Sequence, residues 1–290
     1  MPEVVEVKKY ADFLNKILKN KYINQINILQ GRYKKYGPFP LYDKLIEQLP
    51  IKVLDIKTKG KFLYFILEND FYIFSTLGLS GGWTYKLNEK FKFTSLLKNS
   101  YRKNALNHLN VEFTTEKGSI YYFDMLSFGT LKVVLGKDQL NKKLNSLAPD
   151  IMYATFDVFK NQIMKKNNLE KPIGNVLMNQ KVIAGIGNYL RSDILWLSSI
   201  SPFRLVKNID LDELKLIYKN ALLLTWGEYD YEDGLKLKKF KKTDKLPEYY
   251  DRHFYVYKQE VDIYKNPVIK EELYEGSQKR FIYWVKNIQK

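Results

Sequence analysis

The chain has 290 residues and no cysteine. Disulfides and cysteine-ligated zinc are therefore excluded. Histidine is almost as scarce, His108 and His253 alone, so a histidine-built metal centre is not expected. No apolar run approaches a membrane span and no leader-like segment opens the sequence, so the expectation is a soluble, intracellular protein. No unit repeats at a fixed period. Arginine is limited to Arg32, Arg102, Arg191, Arg204, Arg252 and Arg280, which leaves lysine to carry nearly all of a formal net charge of +16. That excess, set over an ordinary apolar content, points to a polyanion partner. Nucleic acid fits better than a membrane, because no lysine-rich amphipathic helix stands out. The length suffices for two domains with real cores.

The most informative stretch runs from Pro172 to Arg204. Pro172 to Met178 fits a short helix opened by proline at its first turn. Gly185 and Gly187 then flank Ile186, and Asn188 stands where a second helix would begin. That helix, Tyr189 to Ser199, carries Leu190, Ile194 and Leu197 at helical spacing. Bare N–H groups at such a helix start suit a phosphate, although a plain helical hairpin with an asparagine cap fits the spacing equally well.

At the N-terminus, Val7, Ala11, Leu14 and Leu18 mark one helix face. Removal of Met1 would expose the secondary amine of Pro2. An α-amine titrates at about 7.7–8.0, so a fair share is unprotonated near neutrality. Amines form Schiff bases with carbonyl-like carbons, and Glu3 beside it can move protons. A proline this early is equally ordinary as a first-turn residue. Short β-rich runs follow: Ile26–Ile28, Val53–Ile56, Phe62–Leu67, Phe71–Thr76, Val111–Thr115, Ser119–Phe123 and Leu131–Leu135. Turn signals separate them, and together they predict a β-sandwich.

Toward the C-terminus, Gln139 to Leu144 reads as a short helix. Phe156, Phe159 and Ile163 share a face of the next. Asp210 to Trp226 reads as one long helix with Leu211, Leu214, Ile217, Tyr218, Ala221 and Leu224 inward. Leu235 to Asp244 is lysine-rich and is read as a loop. His253 to Tyr257 alternates like a strand, and Val268–Tyr274 with Arg280–Val285 reads as a hairpin.

Ala184-Gly185-Ile186-Gly187-Asn188-Tyr189-Leu190-Arg191-Ser192-Asp193-Ile194-Leu195 resembles the helix–two-turn–helix of the Fpg/Nei family of DNA glycosylases, most of all its animal Nei-like, zinc-free branch. Pro2-Glu3-Val4-Val5-Glu6-Val7 is similar to the family's start, with Val5 in place of a second proline. Gly60-Lys61, Leu77-Gly78-Leu79-Ser80-Gly81, Asp124-Met125-Leu126-Ser127-Phe128-Gly129 and Leu147-Ala148-Pro149-Asp150 match further family segments. The resemblance covers nearly the whole chain.

It implies an α+β fold: an N-terminal β-sandwich flanked by helices over 1–136, a linker over 137–150, and a helical domain over 151–290. The latter would hold the helix–two-turn–helix and, from about 253 to 290, a zincless-finger β-hairpin. It further implies Pro2 as nucleophile, Glu3 as general acid/base, Glu6 as a supporting carboxylate and Lys61 as a phosphate neutraliser beside the lesion. Leu79 and Phe128 would fill the stack left by an extruded base, while Asn188 and Arg280 would hold phosphate. Asp193, where the family usually has glutamate, reads as a helix-face carboxylate. Leu126 replaces an arginine that would bond the orphaned partner base, so weak discrimination of that base is expected. Tyr264 and Pro267 stand where the first two cysteines of a zinc finger would be, and packing by Tyr264, Tyr283 and Trp284 would hold the hairpin instead. The implied activity is a bifunctional glycosylase/AP lyase that removes oxidised bases, mainly pyrimidines and hydantoins, from damaged duplex DNA, with single-stranded or bubble DNA left open, as a monomer and with no metal or soluble cofactor. Alternatives are an 8-oxoguanine/formamidopyrimidine preference, or a non-catalytic nucleic-acid-binding protein.

Overall fold

A computed structural model describes residues 2–94, 99–230, 254–275 and 278–290. The chain divides into two compact units, Met1–Ser146 and Leu147–Lys290.

The first unit opens with α1 (Val4–Leu18), whose Val7, Ala11, Leu14 and Leu18 are all buried, as the periodicity requires. Then come β1 (Tyr22–Ile23), β2 (Gln25–Ile28), α2 (Arg32–Tyr36), α3 (Tyr42–Ile46), β3 (Ile51–Lys59), β4 (Phe62–Leu67), β5 (Phe71–Thr76), β6 (Gly81–Leu87) and β7 (Lys90–Lys92). The unit continues with α4 (Asn99–Leu106), β8 (Leu109–Thr114), β9 (Ser119–Asp124), β10 (Thr130–Leu135) and α5 (Lys137–Ser146). The strands form two five-stranded sheets, in the orders β1-β3-β4-β5-β10 and β2-β8-β9-β6-β7, and every neighbouring pair is antiparallel.

One core joins the inner faces. Leu63, Phe65, Ile73 and Val133 of one sheet pack with Trp83, Val111, Phe113 and Ile120 of the other. Trp83 lies at its centre. Its ring is 5.1 Å from Phe65, 5.5 Å from Phe113 and 5.3 Å from Tyr122, and its Nε1 donates to Ser75 Oγ across the sandwich. Apolar burial on this scale is the main stabiliser of such a layered unit.

The second unit holds α6 (Phe156–Ile163), α7 (Ile173–Met178), α8 (Asn188–Leu197), α9 (Leu211–Asp230) and the hairpin β11 (Ile269–Glu275) with β12 (Gln278–Trp284). α9 begins at a capping box: Asp210 Oδ1 accepts from the backbone N–H groups of Asp212 and Glu213, while Glu213 accepts from Asp210 N. Leu214, Ile217, Ala221 and Leu224 of α9 are buried, but Leu211 is exposed. Leu211 is the first helical residue, and the inward stripe starts only one turn later.

Residues 254–257 do not form the expected strand. Tyr255 and Val256 are both buried. The backbone N–H groups of Tyr255, Val256 and Tyr257 instead donate to the Asp193 carboxylate. His253 and the lysine-rich 235–244 segment lie outside the described residues. Among the described residues, no helix is long and apolar enough to cross a membrane.

Candidate active-site and nucleic-acid interface residues

Glu3 is the N-cap of α1, and its backbone N–H donates to Glu6 Oε2 at 2.8 Å. Glu6 therefore fixes the backbone on which Glu3 and Pro2 are presented. Glu3 is buried and Pro2 half-buried. Helix α1 runs antiparallel to β3. Asn20 N donates to Val53 O, and five residues earlier Asn15 Nδ2 donates to Ile56 O. β3 runs on for three residues beyond Ile56, about 10 Å, to end at Lys59. The β3–β4 turn at Gly60-Lys61 thus lies toward the N-terminal half of α1. Lys61 is half-buried and immediately precedes β4.

At another edge of this unit two loops are bolted together by one carboxylate. Asp124 is only 3% exposed. Its Oδ1 accepts from Ser80 Oγ at 2.7 Å, its Oδ2 accepts from Gly129 N at 2.7 Å, and Ser80 Oγ accepts from Leu126 N at 2.8 Å. Gly78, at φ 54°, lies so close to the second loop that a Cβ there would sit 2.6 Å from both Phe128 C and Gly129 N. The result is a tight junction whose outer side carries three apolar side chains. Leu79 is 43% exposed, Leu126 56% and Phe128 62%. Large apolar groups held outward on a rigid buried frame are unusual for a surface with no partner. Leu79 is accordingly not a core leucine.

In the second unit the α7–α8 hairpin forms as the spacing predicts, with one difference. Gly187 is the N-cap of α8 and Asn188 is its first helical residue. The Asn188 side chain is engaged by Arg191, whose Nη2 donates to Asn188 Oδ1. Arg280 lies exposed on β12, opposite Leu273 of β11. The hairpin docks on its own unit through Leu273, Ile282 and Trp284 with Phe203, and through Asn175 Nδ2, which donates to Tyr274 O at 2.6 Å. A two-stranded hairpin needs such support in water. The aromatic packing expected of the tail is present: Trp284 on Phe203 at 5.3 Å, Tyr283 on Tyr257 at 5.1 Å and Tyr264 stacked on Trp196 at 6.0 Å.

The residues present do not fit a zinc finger. With no thiolate available, the knuckle 262–267 is closed by Asp262. Its buried carboxylate accepts from Tyr264 N at 2.9 Å, Asn266 N at 2.8 Å and Trp196 Nε1 at 3.2 Å. Asp193, expected as a helix-face carboxylate, is a buried backbone clamp. The roles of Asp124, Arg191 and Asp262 were not read from the sequence. The one local signal was the Asp262-x-Tyr264-x-Asn266 spacing of an aspartate that bonds its own following backbone.

The N-terminal domain of formamidopyrimidine-DNA glycosylase matches residues 1–131, and the formamidopyrimidine-DNA glycosylase H2TH domain matches residues 147–224. The chain belongs to the formamidopyrimidine-DNA glycosylase family. This is a family of base-excision DNA glycosylases with AP lyase activity. The chain is 31% identical over 228 residues to the formamidopyrimidine-DNA glycosylase of Mycoplasma genitalium, covering 76% of this chain and 72% of that protein. It is 28% identical over 261 residues to that of Wolbachia pipientis, covering 89% of this chain and 88% of the relative. In fold it is similar to MutM in complex with carbocyclic 8-oxo-G containing DNA, with a TM-score of 0.75 and 19% identity over 100% of both chains. It is equally similar to Lactococcus lactis Fpg in complex with abasic-site DNA, with a TM-score of 0.76 and 19% identity over 99% of both chains. These relatives carry the formamidopyrimidine name, not that of the Nei-like branch that the sequence resemblance favoured.

Proposed function

We propose that the chain is a bifunctional base-excision enzyme that removes oxidised purines of the 8-oxoguanine and formamidopyrimidine type from duplex DNA and then cleaves the abasic strand. The names of the relatives support the purine preference over the oxidised pyrimidines first expected. The observation that carries the catalytic part is the start of α1, where Pro2 lies beside a buried Glu3 on a backbone pinned by Glu6. A buried carboxyl next to an amine is the pairing that proton transfer during covalent catalysis requires.

Once Met1 is removed, the Pro2 nitrogen attacks C1′ of the damaged nucleotide. The base departs with the glycosidic electron pair and a proton, and Glu3 moves the proton that opens the sugar ring. The resulting iminium acidifies the hydrogen on C2′, so loss of that proton expels the 3′ phosphate and a second elimination expels the 5′ phosphate. Lys61 neutralises a phosphate beside the lesion, and Leu79 and Phe128 occupy the stack once the base is extruded, a step that costs a few kcal/mol. Asn188 and Arg280 hold backbone phosphate. The enzyme works as a monomer and needs no metal.

Two observations favour a second reading, with oxidised pyrimidines and hydantoins as preferred substrates. Leu126 stands exposed where an arginine would read the partner base, and the tail is closed without metal. One experiment separates the readings. Protein with Met1 confirmed absent by intact mass is mixed with duplexes holding either 8-oxoguanine or thymine glycol opposite each of the four bases, and borohydride is added. A covalent adduct with the 8-oxoguanine duplex is expected, with little dependence on the opposite base. Faster trapping on thymine glycol would shift the assignment to the second reading. No adduct with either would leave a nucleic-acid-binding protein and overturn the catalytic reading.

A further inference from the structure

The Arg191 guanidinium is 1% exposed and joins three separate elements. Its Nη1 donates to Gly174 O of α7 at 3.2 Å. Its Nη2 donates to Asn188 Oδ1 at the start of α8 and, at 3.1 Å, to Phe281 O of β12. Phe281 is the residue next to Arg280. One nitrogen therefore ties the side chain of Asn188 to the backbone beside Arg280.

The chemistry of this tie is directional. A guanidinium only donates, so the Asn188 atom facing it is the oxygen, and the amide is held with its –NH2 turned the other way. An –NH2 is what an anion accepts bonds from. A cation on the oxygen side also polarises the amide and strengthens those N–H donors. Lysine could not replace this arrangement, because three acceptors from three directions match a planar fork and not a point charge.

The rest of helix α8 works toward the same end. Asp193 gathers the backbone N–H groups of residues 255–257, and Trp196 Nε1 donates to Asp262 of the knuckle. Three side chains of one helix thus moor the segments that precede and form the hairpin, a task that a metal would perform by pinning the strands to one another.

The geometry points to Arg191 as a positioning residue that sets the Asn188 amide and the strand carrying Arg280 in one arrangement, so that the two act as a single clamp on the DNA backbone. This rests on the reading of Asn188 and Arg280 as phosphate contacts.

The test uses the full, processed chain and a duplex containing a tetrahydrofuran abasic analogue, which binds but cannot form a Schiff base. Affinity is measured by fluorescence anisotropy from 50 to 200 mM KCl for wild type, Arg280→Ala, Asn188→Ala, Arg191→Gln, Arg191→Lys and the double variant Arg191→Gln/Arg280→Ala. Loss of one phosphate contact lowers the slope of log K against log salt by about 0.9. Arg280→Ala should show that drop, and Arg191→Gln should show it too, although its buried guanidinium touches no DNA. Arg191→Gln should weaken binding about 10- to 100-fold in wild type and by only about threefold in the Arg280→Ala background, which is the signature of coupled residues. Arg191→Lys should fall between wild type and Arg191→Gln.

An equal loss in both backgrounds with an unchanged salt slope would reduce Arg191 to a fold-stabilising residue and overturn the proposal. If Arg191→Gln fails to show a cooperative thermal transition, Arg191→Lys decides: wild-type affinity and slope would overturn the proposal, and a reduced slope would uphold it. If Arg280→Ala and Asn188→Ala both bind as wild type does, the phosphate-contact reading itself fails, and the clamp with it. If those two lose affinity while Arg191→Gln does not, only the role of Arg191 is refuted.

Discussion

Replacing Gly78 by alanine tests whether the junction of the two apolar loops is a rigid device. The added methyl meets two independent penalties. At φ 54° an alanine occupies the left-handed region, which costs about 1–2 kcal/mol. Its Cβ would also sit 2.6 Å from Phe128 C and Gly129 N. Both are backbone atoms, so no rotamer change relieves the overlap, and overpacking of this kind costs about 1–3 kcal/mol. The expected loss is therefore about 2–5 kcal/mol, read as a lower urea midpoint with an unchanged m-value. Gly37→Ala is the control. It has φ 96° with nothing within 4 Å of the new Cβ, so it carries backbone strain without collision. Excision distinguishes the two further. Prying the loops apart displaces Leu79 and Phe128 together, and displacement of about 1 Å costs up to about 100-fold in rate. Single-turnover release of 8-oxoguanine, with 2-aminopurine fluorescence beside the lesion to report unstacking, should drop for Gly78→Ala and hold for Gly37→Ala. Equal excision by both variants would show that the junction does not set the wedge, and the reasoning would fall.

Three other outcomes follow from particular buried groups. Asp262→Ala should cost about 2–4 kcal/mol, because it strands the buried Trp196 Nε1 and removes the acceptor of the part-buried Tyr264 N and Asn266 N. Phenanthroline should leave the melting temperature of the wild type unmoved, and a chelator-induced drop would contradict the metal-free knuckle. The third measurement concerns alkali. Burial, reinforced by Asp124, pushes the Tyr101 hydroxyl up to about 12, and burial likewise pushes Tyr10 and Tyr122 well above the usual phenol range. A raised folded value means that the stabilisation is complete below the unfolded value near 10 and is lost as pH climbs beyond it. Each such tyrosine steepens the loss by about 1.4 kcal/mol per pH unit. Unfolding above pH 10, followed by circular dichroism, should coincide with tyrosinate absorbance; smooth ionisation with the fold intact would refute it.

Much of the architecture was legible because local pattern and tertiary packing agree. The face of α1 follows from its periodicity, and the bounds of β4 and β5 follow from β-rich runs set between turn signals. Strand β6 did not, since two glycines, Gly81 and Gly82, offer no side chain to pack at its start; only the sandwich around it, with Trp83 at the centre, makes it a strand. The segment 254–257 misled for the opposite reason: its alternation is genuine, but a distant carboxylate took the N–H groups that a ladder needs. At the site, Leu79 and Phe128 were visible as motif members. Asp124, which holds both loops, acts on Ser80, 44 residues away, and no spacing rule reaches that far. Arg191 was hidden likewise, because its partners Gly174 and Phe281 lie 17 and 90 positions off.

The carboxylate closure of the tail has a chemical consequence of its own. Thiolates that grip a metal are easily converted to sulfenic and higher acids, and peroxide can then eject the ion and unfasten the structure built on it. Aspartate oxygens offer no such target. On the function proposed above, the grip on DNA is one that peroxide leaves untouched, so activity should outlast peroxide doses that disable a finger fastened by cysteine.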